Sequence, residues 1–120
     1  MRTQYAAIPA YKTKDGSEIR ELMHPAVHGN SNQSLAEAIV RPGERTLMHL
    51  HRTSEELYHV TDGEGVMTLA GRTFRIGPGD TVLIPPGAPH CVEALGERAL
   101  HILCCSSPPY RHDDTSLVNA

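Results

Sequence analysis

The chain has 120 residues, 21% of them charged, and a formal net charge of −3. This length accommodates one domain with a single core, so we expect residues 1–120 to form one domain. The eleven Lys and Arg are scattered, which argues against nucleic acid and anionic membranes as partners. The N-terminal segment also lacks the apolar core of a signal peptide, so we expect a soluble protein of the cytoplasm.

Short runs rich in Val, Ile, Leu, Thr and Tyr alternate with Gly- and Pro-containing turn sequences along the chain. This pattern is typical of an antiparallel sandwich or barrel, and it predicts an all-β fold with negligible helix. Residues 1–33 should supply N-terminal strands or an arm. The predicted strands span residues 17–23, 34–40, 45–51, 55–61, 64–70, 72–76, 81–84, 90–94 and 98–105.

Two further features concern the connections between these strands. A tight turn at Ala70-Gly71 should join the strands on either side of it into a hairpin. Residues 106–120 contain Ser-Ser-Pro-Pro and few apolar side chains. We expect them to form an irregular tail whose last residues are disordered.

Three histidines and one glutamate are spaced as in a metal site. His49 and His51 are two residues apart, so on a strand both rings point to the same face. Glu56 opens the next predicted strand, and His90 follows a stretch stiffened by prolines. Imidazole and carboxylate donors suit divalent Mn, Fe, Co, Ni, Cu or Zn.

Strand alternation also predicts the faces of residues beside these four. It places one group with the candidate ligands and a second group on the outer surface. The residues expected inside are Leu47, Tyr58, Val60, Val92 and Ala94, and those expected outside are His59 and Cys91.

The same residues resemble the two sequence motifs of the cupin family. Residues 43–63 match the pattern Gly-x5-His-x-His-x4-Glu-x6-Gly, in which Glu56 is the carboxylate. Residues 79–94 match Gly-x5-Pro-x-Gly-x2-His-x3-Asn, except that Ala94 replaces the final Asn. The chain is therefore similar to small single-domain bacterial cupins, with a motif core at residues 43–94.

The resemblance implies a double-stranded β-helix, or jelly-roll barrel, with a metal near its centre. Its ligands would be His49, His51, Glu56 and His90. The family pattern tolerates a gap one residue shorter, so Glu55 is an alternative ligand, although the distance to Gly63 favours Glu56. The resemblance also implies a homodimer formed through exchanged or abutting N-terminal strands.

Four protein ligands leave open positions on a six-coordinate ion, as expected of a catalytic site. The resemblance permits an isomerase, epimerase, decarboxylase or dioxygenase acting on an oxygen-rich or carboxylate molecule. A divalent ion with this donor set carries a net charge of +1, which favours an anionic or polyhydroxylated substrate. Tyr58 is the candidate catalytic residue, unless it only lines the barrel. The alternatives are a non-catalytic cupin that binds or senses a sugar or small acid, and a purely structural metal.

The remaining candidates have weaker support. The three cysteines read as buried apolar residues, or one thiol lines the pocket or senses oxidants. Three arginines either bind a substrate carboxylate or are solvated and salt-bridged. Tyr110 and His112 of the tail have a position from which they could cover the pocket mouth. The other histidines, His24, His28, His59 and His101, are expected at the surface or at an interface. The cysteines are Cys91, Cys104 and Cys105, and the arginines are Arg20, Arg45 and Arg72.

Overall fold

A computed structural model describes residues 1–118 of the chain. These residues form short strands with one helical turn, α1 (Pro25–His28), and two 3-10 turns at Tyr5–Ala7 and His112–Asp114. None of the helical segments in this part of the chain has the length and apolar character needed to cross a membrane. The strands are β1 (Tyr11–Lys12), β2 (Glu18–Met23), β3 (Ser34–Val40), β4 (His49–His51), β5 (Glu55–Asp62), β6 (Glu64–Leu69), β7 (Arg72–Ile76), β8 (Thr81–Ile84), β9 (His90–Leu95), β10 (Leu100–Ser107) and β11 (Thr115–Leu117).

The strands build two sheets that face each other. One sheet has the order β1-β2-β3-β10-β5-β8 and the other β11-β4-β9-β6-β7, and every pairing is antiparallel. The predicted all-β jelly-roll barrel is confirmed. Its apolar core contains no Trp and is filled mainly by aliphatic side chains. The largest fully buried apolar residues are Met67, Ile84, Leu100, Ile102 and Val60.

The tight hairpin turn lies where the sequence predicted it. Leu69 pairs with Arg72 across β6 and β7, which leaves Ala70 and Gly71 as the two turn residues. Both have positive φ, at 49° and 83°, as the type I′ hairpin turn requires.

The predicted strand at residues 45–51 was wrong for its first four residues. Only His49–His51 is regular strand, whereas Arg45 makes an isolated bridge to Glu93. The Leu47 amide instead donates to the Asp15 carbonyl oxygen. Because this segment is not a regular strand, alternation does not reach Leu47. Its predicted interior position was therefore also wrong, and the side chain is 54% exposed.

The tail is more regular than predicted. Ser106 and Ser107 complete β10, and β11 pairs with the edge strand β4. A three-residue strand is too short to show a period in the sequence, and here it is stabilised by the free edge that β4 offers. Lys14 also holds this segment, since its Nζ donates to the carbonyl oxygens of His112 and Thr115 at 2.8 Å each. The disorder expected at the very end concerns residues 119–120, outside the described residues.

Candidate metal centre

The four candidate ligands converge on one buried point inside the barrel. β4 carries His49 and His51, β5 carries Glu56, and β9 carries His90 directly opposite His49. All four side chains are buried. The ring nitrogens of the three histidines lie within 4.8 Å of one another, so these histidines could bind a metal ion. The Glu56 Oε1 atom lies 3.1 Å from His51 Nε2 and 3.6 Å from His90 Nε2.

Strand alternation accounts for most of this convergence. Glu56 is buried whereas Glu55 is exposed, so only Glu56 reaches the histidines. Tyr58, Val60, Val92 and Ala94 are buried, as alternation predicted. His59 instead faces outward, where its Nδ1 lies 2.7 Å from Thr81 Oγ1, and Cys91 is only partly buried.

The backbone beside two of the histidines determines which ring nitrogen is protonated. His49 Nδ1 lies 2.8 Å from the Leu47 carbonyl oxygen, and His90 Nδ1 lies 2.9 Å from that of Ala88. A carbonyl oxygen only accepts, so in both rings Nδ1 carries the proton and donates it. Nε2 of each neutral ring is therefore left with a lone pair that points toward the centre of the site.

The third histidine is oriented by the tail. His51 Nδ1 lies 2.9 Å from the hydroxyl of Thr115, and that hydroxyl donates to the Arg111 carbonyl oxygen at 2.9 Å. The Thr115 oxygen is therefore left to accept from His51, which protonates Nδ1 and leaves Nε2 bare. The short strand β11, absent from the sequence prediction, supplies this contact.

Two buried polar atoms at the centre have no hydrogen-bond partner. They are Glu56 Oε1 and His90 Nε2. When the His51 ring is neutral, its proton is on Nδ1, so the close approach of Glu56 Oε1 to His51 Nε2 brings together two acceptors. Burying such atoms unpaired is costly, and a cation held by these residues would remove the cost. The donor set thus fits a divalent transition metal held by three imidazoles and one carboxylate.

The protonation states suit metal binding as well. Burial alone would raise the pKa of Glu56, but hydrogen bonds and positive charge from His51 and His90 in their protonated forms outweigh it and lower the pKa to about 2. Burial, together with the nearby His90, lowers the pKa of His49. At neutral pH the carboxyl group is ionised and the His49 ring is neutral, which are the forms that bind metals.

A cavity opens from these residues toward solvent. It encloses about 500 Å³ of space outside the protein atoms, some of it continuous with solvent. Tyr58 lines it, with its ring edge-on to His90 at 5.7 Å between centroids. Burial and the charge of Glu56 raise the pKa of Tyr58 well above its usual range, so its hydroxyl stays protonated. Cys104 also lines the cavity, as one reading of the cysteines predicted, while Cys91 and Cys105 do not.

The tail closes one side of the cavity. Tyr110 lines it, edge-on to His51 at 5.7 Å between ring centroids. Its backbone amide donates to Ser34 Oγ, and burial raises the pKa of its hydroxyl to about 12. His112 is exposed and contacts Tyr110 from outside, with its Nδ1 3.0 Å from the phenol oxygen. Of the two tail residues considered, only Tyr110 covers the pocket.

The other histidines and the arginines lie away from the site. His24 caps α1 by accepting from the Ala26 amide, and His28 accepts from the His24 amide. His101 lies 3.5 Å from a Glu37 carboxylate oxygen. None of the three arginines considered from the sequence, Arg20, Arg45 and Arg72, lines the metal-site cavity.

Sequence reasoning missed several polar residues that line the cavity. Asp15 approaches His49, with its Oδ2 atom 3.4 Å from His49 Nε2. Glu21 lines the same cavity. Asp15 belongs to an Asp-Gly pair that indicated only a turn, and Glu21 belongs to a predicted strand. Nothing local in either segment points toward a metal site, because both meet it only through the fold.

One protein-family model and several known proteins are similar to this chain. The family model described as the cupin domain matches residues 36–106. An uncharacterized protein of Methanocaldococcus jannaschii is 52% identical over 118 residues, which cover 98% of this chain and 94% of that protein. Polyketide synthase CurC of Streptomyces cyaneus is 32% identical over 95 residues, covering 79% of this chain and 62% of that protein. The solved structure of the polyketide cyclase RemF from Streptomyces resistomycificus has a TM-score of 0.84 at 23% identity, covers 100% of this chain and 86% of that one, and shares the fold.

Proposed function

Because this chain belongs to the cupin domain family, we propose that it is a metal-dependent enzyme acting on a small oxygen-rich molecule. His49, His51, Glu56 and His90 would hold one divalent ion, for which Zn, Fe, Mn, Ni and Cu all suit the donor set. The observation that carries the proposal is the pair of buried, unpartnered atoms, Glu56 Oε1 and His90 Nε2. In the neutral rings of His51 and His90, the Nε2 atoms that lie near Glu56 Oε1 carry no proton to donate to it.

The arrangement beside the ligands supports catalysis over a purely structural ion. When bound, the ion supplies Lewis-acid character and coordination positions that the protein leaves open. The cavity opens from the ligands toward solvent, which would give a small molecule a route to that point. The protonated Tyr58 hydroxyl, which makes no hydrogen bond within residues 1–118, would donate a hydrogen bond to the substrate. Isomerisation, epimerisation, decarboxylation and dioxygenation are the reaction classes we propose.

Turnover assays separate these reactions from the non-catalytic alternative. The metal-loaded protein would be incubated with diketones, sugar acids and polyphenols, with oxygen uptake and product formation recorded for each. Oxygen consumption would indicate a dioxygenase, and product without it an isomerase, epimerase or decarboxylase. Saturable binding without any product would contradict an enzyme and support a sugar- or acid-binding cupin.

For the substrate that turns over, Tyr58→Phe is expected to lower kcat by about 10²-fold or more, because the variant loses the proposed donor. Its ring still packs on His90, so metal content should not change. The matched control is Tyr5→Phe, whose exposed ring lies outside the cavity and whose hydroxyl contacts Glu37. An unchanged kcat in Tyr58→Phe would leave Tyr58 as a residue that only lines the barrel.

The tail hydrogen bond to His51 makes a separate prediction. Thr115→Val keeps the size of the side chain but removes the acceptor for His51 Nδ1. We expect metal affinity to fall by about 10- to 100-fold, since an unrestrained ring is a poorer ligand. Competition with a chromophoric chelator measures the change. Thr81→Val, which removes the same kind of contact from His59 on the outer face, should have no effect.

We also propose a homodimer in the cytoplasm. A row of apolar residues crosses the outer face of the larger sheet, where Leu57 pairs with Leu83 on one side and with Cys105 on the other, and Cys105 pairs with Leu35. The three leucines are exposed, which supports contact with a second copy through this face. The N-terminal strand β1 lies at the edge of the same sheet, where exchanged or abutting strands of a second copy would extend this contact. The cysteines are free thiols, which supports a reducing compartment.

A further inference from the structure

Asp15 is held rigidly at the edge of the proposed metal centre. It lies in the loop between β1 and β2 and is buried. Its Oδ1 accepts three hydrogen bonds, from the Ser17 amide at 2.9 Å, the Ser17 hydroxyl at 2.7 Å and the Thr13 hydroxyl at 2.6 Å. Its backbone carbonyl oxygen accepts from the Leu47 amide at 2.8 Å. The orientation of the carboxylate is therefore determined before any ligand arrives.

The second carboxylate oxygen is left for a ligand. Asp15 Oδ2 takes none of these hydrogen bonds and lies 3.4 Å from His49 Nε2. That nitrogen offers it no proton, because the proton of His49 is on Nδ1. Oδ2 is thus an acceptor without a donor, beside the proposed ligand His49, on a residue that lines the cavity.

A second acceptor in the cavity also has no donor. Glu21 lines the cavity, and its Oε1 accepts from the Tyr11 hydroxyl at 2.9 Å. Its Oε2 is buried without a hydrogen-bond partner in the described residues. A ligand carrying hydroxyl groups would satisfy such an oxygen, whereas a ligand carrying carboxylates would repel it.

The charge of the cavity wall also favours a ligand with hydroxyl groups over one with carboxylates. Asp15, Glu21 and Glu56 line it, and within residues 1–118 neither Lys nor Arg does. The nearby Lys14 ammonium is bound to two carbonyl oxygens of the tail. A divalent ion bound by Glu56 would carry a net charge of +1, which the other two carboxylates offset. The wall therefore disfavours a substrate with several anionic groups, in contrast to the charge balance of the four ligands alone.

We propose that Asp15 is a specificity-determining residue of this site and selects a substrate with hydroxyl groups over one with carboxylates. Its Oδ2 accepts a hydrogen bond from a substrate hydroxyl bound beside the ion. The substrate class is then a polyhydroxylated or phenolic molecule without multiple negative charges. This inference rests on the proposed function, because it requires a metal held by the four ligands.

Two chelators of similar size test the selection. Glycolate and oxalate share one carboxylate and differ at the other end, which is a hydroxyl in glycolate and a second carboxylate in oxalate. Both would be titrated into the Co²⁺-loaded protein and its Asp15→Asn variant, with visible absorption of the cobalt as the readout. Asp113→Asn, an exposed residue outside the cavity, is the matched control.

In Asp15→Asn we expect oxalate to bind about tenfold more tightly, because the variant removes a like-charge contact with the second carboxylate. Glycolate should bind more weakly, because its hydroxyl loses a charged acceptor. A variant in which both chelators gain affinity together would contradict the inference, since a general charge effect explains that result. Unchanged affinities would contradict it as well.

Two other results have distinct meanings. Loss of cobalt from Asp15→Asn would contradict the inference by making Asp15 a metal ligand. A wild-type protein that takes up no cobalt would contradict the proposed function together with the inference. Unchanged chelator affinities in a loaded protein contradict the inference alone.

Discussion

The wild-type protein is expected to carry one equivalent of a divalent transition metal, and His90→Ala is expected to lose it. His90 is fully buried, and its Nε2 has no hydrogen-bond partner. Removing one of four ligands should weaken metal binding by more than the roughly 100-fold that a lost supporting contact can cost. Elemental analysis of protein purified without chelator or added metal measures the occupancy. His59→Ala, on the outer face of β5, is the control and should keep the metal.

A second pair of variants tests the carboxylate separately from the imidazoles. Glu56→Gln should lower metal affinity strongly, whereas Glu55→Gln, one residue away but exposed, should leave it unchanged. Metal at 100 times its dissociation constant stabilises a protein by about 2.7 kcal/mol, so Tm should rise on loading in wild type and in Glu55→Gln. A wild-type protein without stoichiometric metal that also cannot be loaded would contradict the proposed function. Full occupancy in Glu56→Gln would restrict the ligand set to the three histidines.

The largest effect on stability is expected for Gly63→Ala, at the tight connection between β5 and β6. Gly63 has a φ of 79°, where residues other than glycine are strained. A Cβ atom there would also overlap the Ala99 carbonyl oxygen and lie 2.9 Å from Leu100 Cα. These are backbone atoms at the start of β10 and of the residue before it, so they cannot rotate away as a side chain could. We expect the free energy of unfolding to fall by more than about 4 kcal/mol, or the chain not to fold.

Gly96→Ala is the matched control for this variant. Gly96 has a similar φ of 71°, but a Cβ atom there would meet nothing within 4 Å. Its cost should be limited to the backbone strain of about 1–3 kcal/mol. Urea denaturation of both variants measures the two costs. Equal losses would show that the close approach of the two backbones near Gly63 has no energetic weight.

The histidine and glutamate quartet was predictable from the sequence through strand alternation at His49 and His51 and through the motif spacing that marks Glu56 and His90. A spacing of two residues on β4 is enough to point His49 and His51 to the same face. The exposed position of Glu55 follows from the same alternation. The periodic argument failed at Leu47, where the chain leaves the ladder to donate to Asp15. It also could not show β11, whose three residues contain too little pattern to be recognised.

The all-β fold, the hairpin at Ala70-Gly71 and the identity of the candidate ligands could therefore be inferred from the sequence alone. The first two depend on local geometry, and the last depends on the spacing of residue types within two sequence motifs. The residues that surround the ligands, in contrast, are brought there by contacts between distant parts of the fold. Thr115 reaches His51 across 64 positions of the chain, and Asp15 reaches His49 from a loop before β2. Such contacts have no period, since they arise when separate strands close the barrel, and in this protein they orient the site and set the charge of its wall.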